Sequence, residues 1–451
     1  MFQELRNRYP QFIYDHFTVT ETTEQWCVTY TFIIEELTFQ PRITILKKDV
    51  TNAKIDKKYL NYLFFQYGLF DLMNYYKLTC SPKIVIKPMY ISMEQTEFLK
   101  KILYNGLGEY FYKNDIDLSY EEFLNFEVIA EPKYQLPVLD GEYSGNLIPV
   151  GGGKDSIVTL ELLKADQKEN KLLMLERNLY PKNKAGYESI AIAGYQETDI
   201  VIFRNDLDLQ LLELNKKGYL NGHIPFSACL SMASIIMAYL TNKKYIVLSN
   251  EASANEGNNE QLNINHQYSK SYEYEKDFRN YTSKYLNSQI EYFSLLRCWN
   301  EYQIVQEFLK HKKYLKVFRS CNRGTKQNIW CNHCSKCLYV YIMLYPHLAE
   351  QELQQIFDHD LLNDPSLESE FWGLVMEDEI KPFECVGTKL EINYSLQQAL
   401  KRKQGPFPYL LELYHKKNQP KIPKNIVEDY LNKEHFIPKR YLRLVENQNE
   451  R

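Results

Sequence analysis

The stretch Leu147-Ile148-Pro149-Val150-Gly151-Gly152-Gly153-Lys154-Asp155-Ser156-Ile157-Val158-Thr159-Leu160-Glu161 gathers residue types that suit phosphate chemistry. An apolar strand runs into three glycines, and Lys-Asp-Ser then opens an amphipathic helix with Ile157, Leu160 and Leu163 on one side. Gly151, Gly152 and Gly153 let the backbone turn sharply and approach a ligand, with N–H groups turned inward. The helix N-terminus behind them carries roughly half a positive charge and unpaired donors, which suits an anion. Asp155 can cap the helix or hold a metal ion, and Lys154 and Ser156 can reach phosphate oxygens. A Walker A loop is excluded because Ile148 and Asp155 stand where its first glycine and its Ser/Thr belong. A Rossmann fingerprint is excluded because Ser156 stands where its third glycine belongs.

A second constellation is Cys321-x9-Cys331-x2-Cys334-x2-Cys337. Four thiolates with two Cys-x2-Cys steps suit a closed tetrahedral zinc site, and an iron–sulfur cluster accepts similar spacing. His333 lies inside the cluster as a fifth donor that a tetrahedral site does not need. Cys27, Cys80, Cys229 and Cys298 are scattered and read as small core residues.

These groups need a scaffold that holds them at one edge. From about residue 144 to 348 the pattern alternates strand and helix, as a parallel sheet demands. Expected strands are Leu147–Val150, Leu172–Leu175, Ile200–Phe203 and Lys244–Leu248. Helices are expected over Asp155–Lys164, near Tyr187–Tyr195 and over Pro225–Leu240. Ligands in such sheets bind beyond the carboxyl ends of the strands. The residues there are polar: Gly151–Ser156, Glu176-Arg177-Asn178, Arg204-Asn205 and Ser249-Asn250-Glu251. Glu251, His266 and Lys270 lie on that loop side as candidates for metal binding or proton transfer, or as solvated residues. His223, just before Pro225, either joins them or caps the following helix.

Residues 1–143 read as an α+β module that covers or gates this region. Its strands are expected at Gln25–Phe32, Arg42–Leu46 and Lys83–Ile86, and its helices at Tyr59–Tyr76 and Met93–Tyr104. Gly106-Leu107-Gly108 reads as a helix C-cap. Residues 349–451 read as helical, with short pieces at Glu352–Phe357 and Phe371–Met376. The tail His415–Lys439 is expected at the surface.

At 451 residues, with 44% apolar and 25% charged residues, the chain is long enough for two or three domains of ordinary globular composition. A net charge of −4 advertises neither a nucleic-acid nor a membrane partner. Met1–Phe12 carries charges and lacks the apolar core of a signal peptide. The longest apolar run, Ile224–Leu240, is interrupted by Ser227, Ser231 and Ser234 and reads as a buried helix. Nine cysteines, four of them at metal spacing, suit a reducing compartment. A cytoplasmic protein is expected.

The Gly-Gly-Gly-Lys-Asp-Ser loop resembles that of the PP-loop ATP-pyrophosphatase superfamily, with Gly151 in place of the usual first Ser. With the cysteine cluster it resembles 7-cyano-7-deazaguanine synthase and other PP-loop enzymes that modify nucleobases or tRNA, over about half the chain. A fuller resemblance is to the UDP-N-acetylmuramoyl-L-alanyl-L-glutamate epimerase family. It rests on Pro149–Ser156, Gly222-His223-Ile224-Pro225, Ser249-Asn250-Glu251, Asn265-His266-Gln267-Tyr268-Ser269-Lys270-Ser271, Trp330-Cys331, Lys381-Pro382-Phe383-Glu384-Cys385-Val386-Gly387, and Gly106-Leu107-Gly108-Glu109.

That resemblance implies an α/β fold: a central parallel-sheet PP-loop domain (adenine nucleotide alpha hydrolase-like) at 144–348, between an N-terminal α+β domain and a helical C-terminal region. It implies ATP-dependent inversion of the terminal glutamate of UDP-MurNAc-L-Ala-L-Glu through an acyl-adenylate, with AMP and pyrophosphate released. Gly151–Gly153, Lys154 and Ser156 would bind phosphates, Glu176 would lie near the adenosine, and Asp155 with Glu251 would hold Mg²⁺. His223, His266, Lys270 and Cys385 are the proton-transfer candidates, unordered, with buried packing as the rival account of Cys385. The four cysteines would hold structural zinc. The expected partner is the small-molecule precursor, with no membrane and no nucleic acid.

Overall fold

Eleven strands pair into one sheet in the computed structural model, which describes residues 1–132, 141–258, 264–324, 327–402, 406–417 and 421–446. In chain order they are β1 (Gln11–Glu21), β2 (Gln25–Ile34), β3 (Leu37–Phe39), β4 (Arg42–Leu46), β5 (Lys83–Ile86), β6 (Asn125–Val128), β7 (Asn146–Pro149), β8 (Asn170–Glu176), β9 (Ile200–Asp206), β10 (Tyr245–Leu248) and β11 (Glu291–Ser294). The spatial order is β11-β10-β7-β8-β9-β4-β2-β1-β5-β6, with β3 paired to β2. The five strands from β11 to β9 are mutually parallel.

The expected boundary at 143/144 falls between β6 and β7, and the sheet runs on across it. Antiparallel pairing of β4 with β9, from Arg42 opposite Asp206 to Ile45 opposite Phe203, joins the two halves. Strands β2, β4, β5 and β7 to β10 coincide with expected ones within a few residues. β1, β3, β6 and β11 are additional.

Both sheet faces are covered, so successive strand residues enter opposite cores. Leu147, Leu173, Val201 and Ile246 pack with the helices Lys57–Asp71 and Phe226–Leu240. Ile148, Leu172, Met174 and Val247 pack with the helices Lys154–Leu162, Lys184–Ala193 and Glu301–Leu309 and with the C-terminal helices. The apolar run ending at Leu240 is thus a buried helix. No helix among the described residues is long and apolar enough to cross a membrane.

The parallel strands also fix where a ligand can enter. The chain leaves β7 toward β8 and β9 on one side, and β10 and β11 add on the other. The topological switch point therefore lies between β7 and β10, and the crevice opens beyond their carboxyl ends. The glycine loop follows β7 and Ser249-Asn250-Glu251 follows β10. A hydrogen bond of 2.8 Å between the hydroxyls of Thr159 and Ser249 ties the two together.

The tail is less peripheral than its composition suggests. Asn300 and Gln303, at the start of the helix Glu301–Leu309, donate to the carbonyls of Val427 at 2.7 Å and Tyr430 at 2.8 Å. Val427 is buried as a result.

Candidate active site

The glycine loop is shaped by one obligatory glycine. Gly152 has φ +80°, and a Cβ there would lie 2.5 Å from the backbone nitrogen of Gly186. Only glycine takes this conformation against so close a neighbour without strain. Gly153 is the helix N-cap, and Gly151 faces open space. The hydroxyl of Ser156 accepts from the Gly152 N–H at 3.2 Å and donates to the Gly153 carbonyl at 3.0 Å. Lys154 does not project freely from the loop. It is 2% exposed and its ammonium pairs with Asp155 and Glu301.

Behind the loop lies a buried charge cluster. Burial raises the Glu251 carboxyl and neighbouring Asp155 raises it further, against the pull of Lys270 and Lys154. Burial also raises Glu301, to about 7, despite Lys154. Asp155 itself is held low, because Lys154 and Lys336 outweigh its burial. Two close carboxylates that repel in this way suit a divalent cation between them. Glu391 ties the cluster together, accepting from the Ser253 hydroxyl at 2.5 Å and the Glu301 N–H at 2.9 Å.

A cavity of about 1180 Å³ opens beside this cluster, and Gly151, Glu176, His223, His266, Lys270 and Cys385 all line it. Glu176 stands at its rim, accepting from the Tyr187 hydroxyl at 2.9 Å and from Arg204 at 3.0 Å. The four proton-transfer candidates converge on its inner wall. The rings of His223 and His266 are 4.0 Å apart between centroids. Lys270 Nζ donates to Cys385 Sγ at 3.1 Å, and Lys336 Nζ donates to the Cys385 carbonyl. Nδ1 of His266 lies 2.5 Å from Oε2 of Glu109.

The electrostatics separate these four groups. Burial alone pushes the Cys385 thiol up, but Lys270, a hydrogen bond from His266, and Lys336 bring it down to about 5. Burial pulls His266 down, yet Cys385 and Glu109 raise it to about 9. His223 is driven to about 3 by burial and then by the charge on His266. Lys270 is held above the ordinary lysine range, since Cys385 and Glu251 outweigh its desolvation. At neutral pH the wall therefore carries a thiolate, an imidazolium, a neutral imidazole and an ammonium.

Residues missed as single candidates build this wall. Glu109 arrives because three glycines permit close packing: a Cβ on Gly106 would meet Pro225 Cβ at 2.5 Å, and one on Gly222 would meet Tyr110 Cα at 3.0 Å. A Cβ on Gly108 would meet Ile264 Cγ2 at 3.0 Å. Leu107 caps the C-terminus of a helix, as expected, but without a left-handed glycine, and a second helix follows at once. Gly106 ends the helix Met93–Gly106, Gly108 starts the helix Gly108–Lys113, and neither has a positive φ. His223 is no cap: the N-cap of the buried helix is Pro225, which makes no side-chain cap bond. Asn258 accepts from the His266 N–H at 2.7 Å and donates to the Pro382 carbonyl at 2.8 Å, joining the two loops that carry His266 and Cys385.

The four clustered cysteines converge. Sulfur–sulfur distances are 4.0 Å for Cys321–Cys334, 3.7 Å for Cys331–Cys337 and 3.5 Å for Cys334–Cys337. Tetrahedral ligands at a Zn–S distance of about 2.3 Å stand about 3.8 Å apart, so the donor set fits a metal ion. His333 is not part of the group, whose donor atoms all lie within 4.8 Å of one another. Two links connect this knuckle to the cavity wall: Lys336, between Cys334 and Cys337, reaches the Cys385 carbonyl, and Asn322 donates to Glu384 Oε2 at 2.6 Å.

The chain matches the family model described as the MurL N-terminal domain over residues 3–295, and that described as the MurL C-terminal domain over residues 317–422. It is 29% identical over 365 residues to the UDP-N-acetyl-alpha-D-muramoyl-L-alanyl-L-glutamate epimerase of Xanthomonas oryzae pv. oryzae, covering 78% of each chain. It is 33% identical over 321 residues to the epimerase of the same name from Salinispora tropica, covering 70% of this chain and 68% of that one. A third of that name, from a Micromonospora species, is 31% identical over 321 residues, with 70% and 69% covered. No solved structure matches the chain. On these matches the chain belongs to the MurL family.

Proposed function

We propose that this chain inverts the α-carbon of the terminal L-glutamate of UDP-MurNAc-L-Ala-L-Glu to the D form, in the cytoplasm, with ATP converted to AMP and pyrophosphate. The observation that carries the reading is the meeting of Cys385, Lys270, His266 and His223 on the wall of the cavity that Gly151 of the glycine loop also lines.

A carboxylate resists loss of its α-proton because the enolate would add negative charge to an existing anion. Bound ATP would supply the adenylyl group that a glutamate carboxylate takes as pyrophosphate leaves; the resulting acyl-adenylate removes this charge and acidifies the α-hydrogen, and water then cleaves it to AMP and the free carboxylate. The loop Gly151–Gly153 acts as a PP-loop, holding phosphate with its N–H groups and the helix N-terminus. Asp155 and Glu251 hold Mg²⁺, which relieves their mutual repulsion. Glu176 lies toward the adenosine. Lys154, already paired inside the protein, sets the charge of this cluster rather than reaching out as a free arm.

Cys385 takes the α-proton onto its sulfur as the base, kept ionised by Lys270 and His266. Three groups remain to return a proton to the other face. Lys270 is held too basic to be an effective acid, and His223 is held neutral. His266 is protonated at neutral pH and near enough to it in pKa to donate. Inversion requires the α-carbon to enter between the two side chains and part their contact; when product leaves, the contact re-forms and the proton passes from Cys385 to His266, which resets the pair. The cysteine knuckle holds zinc and anchors the Cys385 loop through Lys336 and Asn322.

Incubation with the precursor, ATP and Mg²⁺ in D2O tests this. Deuterium at the glutamate α-carbon together with AMP is the expected result. AMP without deuterium would remove the epimerase and leave an ATP-pyrophosphatase.

A further inference from the structure

Arg177 follows the last residue of β8 and lines the cavity. Its guanidinium lies over the Phe226 ring, 4.5 Å from the centroid. Among the described residues no carboxylate forms an ion pair with it, and its Nε and Nη2 are buried without a hydrogen-bond partner. The turn that carries it is clamped. The Asn178 side chain donates to the Leu207 carbonyl at 2.9 Å and accepts from the Leu207 N–H at 3.0 Å.

A second cation stands beside it. Lys77 donates to Asn221 Oδ1 at 2.8 Å and to the Gly222 carbonyl at 2.9 Å, just ahead of His223. Burial, and then repulsion from Arg177, lowers Lys77 to about 8. Burial pushes the Asp71 carboxyl up to about 6; it lies near enough for Arg177 to favour its charged form, but it makes no ion pair with Arg177, and its carboxylate accepts from Asn74 and Asn205. The stacked and clamped arginine thus keeps two buried N–H donors without a partner beside a second cation. A ligand oxyanion would satisfy the idle fork and relieve the repulsion together.

We propose that Arg177 is an oxyanion-binding residue, taking a carboxylate or phosphate of the ligand on its guanidinium fork while Phe226 holds the plane and Lys77 adds charge. The identity of that ligand rests on the proposed function. The oxyanion then belongs either to the precursor, through a glutamate carboxylate or its diphosphate, or to ATP.

Calorimetric titration of wild type, Arg177→Gln and Arg177→Lys distinguishes these sources, with UDP-MurNAc-L-Ala-L-Glu in one series and ATP with Mg²⁺ in the other. Arg177→Gln should weaken one ligand at least ~10-fold, the loss of one charge-assisted hydrogen-bonded pair, and leave the other unchanged. Its unliganded melting temperature should hold or rise, because a repulsive cation has gone, whereas a merely structural arginine would lower it. Arg177→Lys should restore part of the affinity. Weakened precursor binding assigns the oxyanion to the precursor, and weakened ATP binding assigns it to the nucleotide. Unchanged affinity for both, a wild-type chain that binds neither, or a melting temperature that falls in both variants overturns the proposal. Precursor binding by wild type without deuterium exchange would instead remove the epimerisation reading and leave Arg177 as an anion anchor.

Discussion

On one side of the cavity the glycine loop, its helix and its metal-binding candidate Asp155 come from a single run, residues 151–162. On the other side, Glu109, His223, His266, Lys270 and Cys385 come from four separate segments that meet only in the folded chain. The first side follows from local rules: a strand, a forced left-handed glycine and a helix N-terminus. The second depends on long-range contacts, through close-packed glycines, Asn258 and the cysteine knuckle. Perturbing the first should therefore stop nucleotide chemistry, and perturbing the second should spare it and stop proton transfer.

The largest effect is expected at Gly152. Gly152→Ala puts a Cβ against Gly186 and keeps a positive φ, costing about 1–2 kcal/mol from the backbone alone before the clash is counted. AMP formation should fall at least ~100-fold, read by single-turnover assay. AMP release at the wild-type rate would mean that the loop does not cradle phosphate.

Metal removal comes next. Chelation should lower the melting temperature and free the Cys385 loop, because Lys336 and Asn322 anchor it to the knuckle. Alkylation of Cys385, mapped by peptide mass spectrometry, should change rate roughly 10-fold, as a change of about 1.4 kcal/mol in the loop's ordering would produce. A melting curve and an alkylation rate both indifferent to chelator would separate the knuckle from the site.

The pH dependence is subtler. Exchange needs Cys385 deprotonated, which fails as pH falls through about 5, and His266 protonated, which fails as pH rises through about 9. A bell between those limits is expected for deuterium exchange. Glu109→Gln removes one of the two groups that hold His266 up and should move only the alkaline limb, downward by about one unit, or ~1.4 kcal/mol of lost support. An unmoved limb would take His266 out of the acid role.

How legible each side was in the sequence follows from the same contrast. The strands and helices of the parallel half are announced by apolar runs broken by Gly and by polar exits, and the cysteine spacing announces a metal site. The sequence position of Lys154 suggests a phosphate contact but gives no sign of its buried partner Glu301, 147 residues away in the chain. The place of Glu109 on the wall is hidden because nothing local reveals that Gly106 faces Pro225. The continuity of the sheet from β9 into β4 was equally hidden, because pairing between strands so distant in sequence leaves no periodic trace. Lys336 carries a sequence signal in its position between two of the clustered cysteines, which sets it on the knuckle that faces the Cys385 loop.

The role of Cys385 is decided by comparing wild type with Cys385→Ser in D2O, scoring AMP and glutamate α-deuterium in the same reaction. The variant should still form AMP while deuterium incorporation falls ~10²–10⁴-fold, as expected when a general base is lost. Deuterium retained at the wild-type rate with AMP would show that another group takes the proton, and would contradict that role.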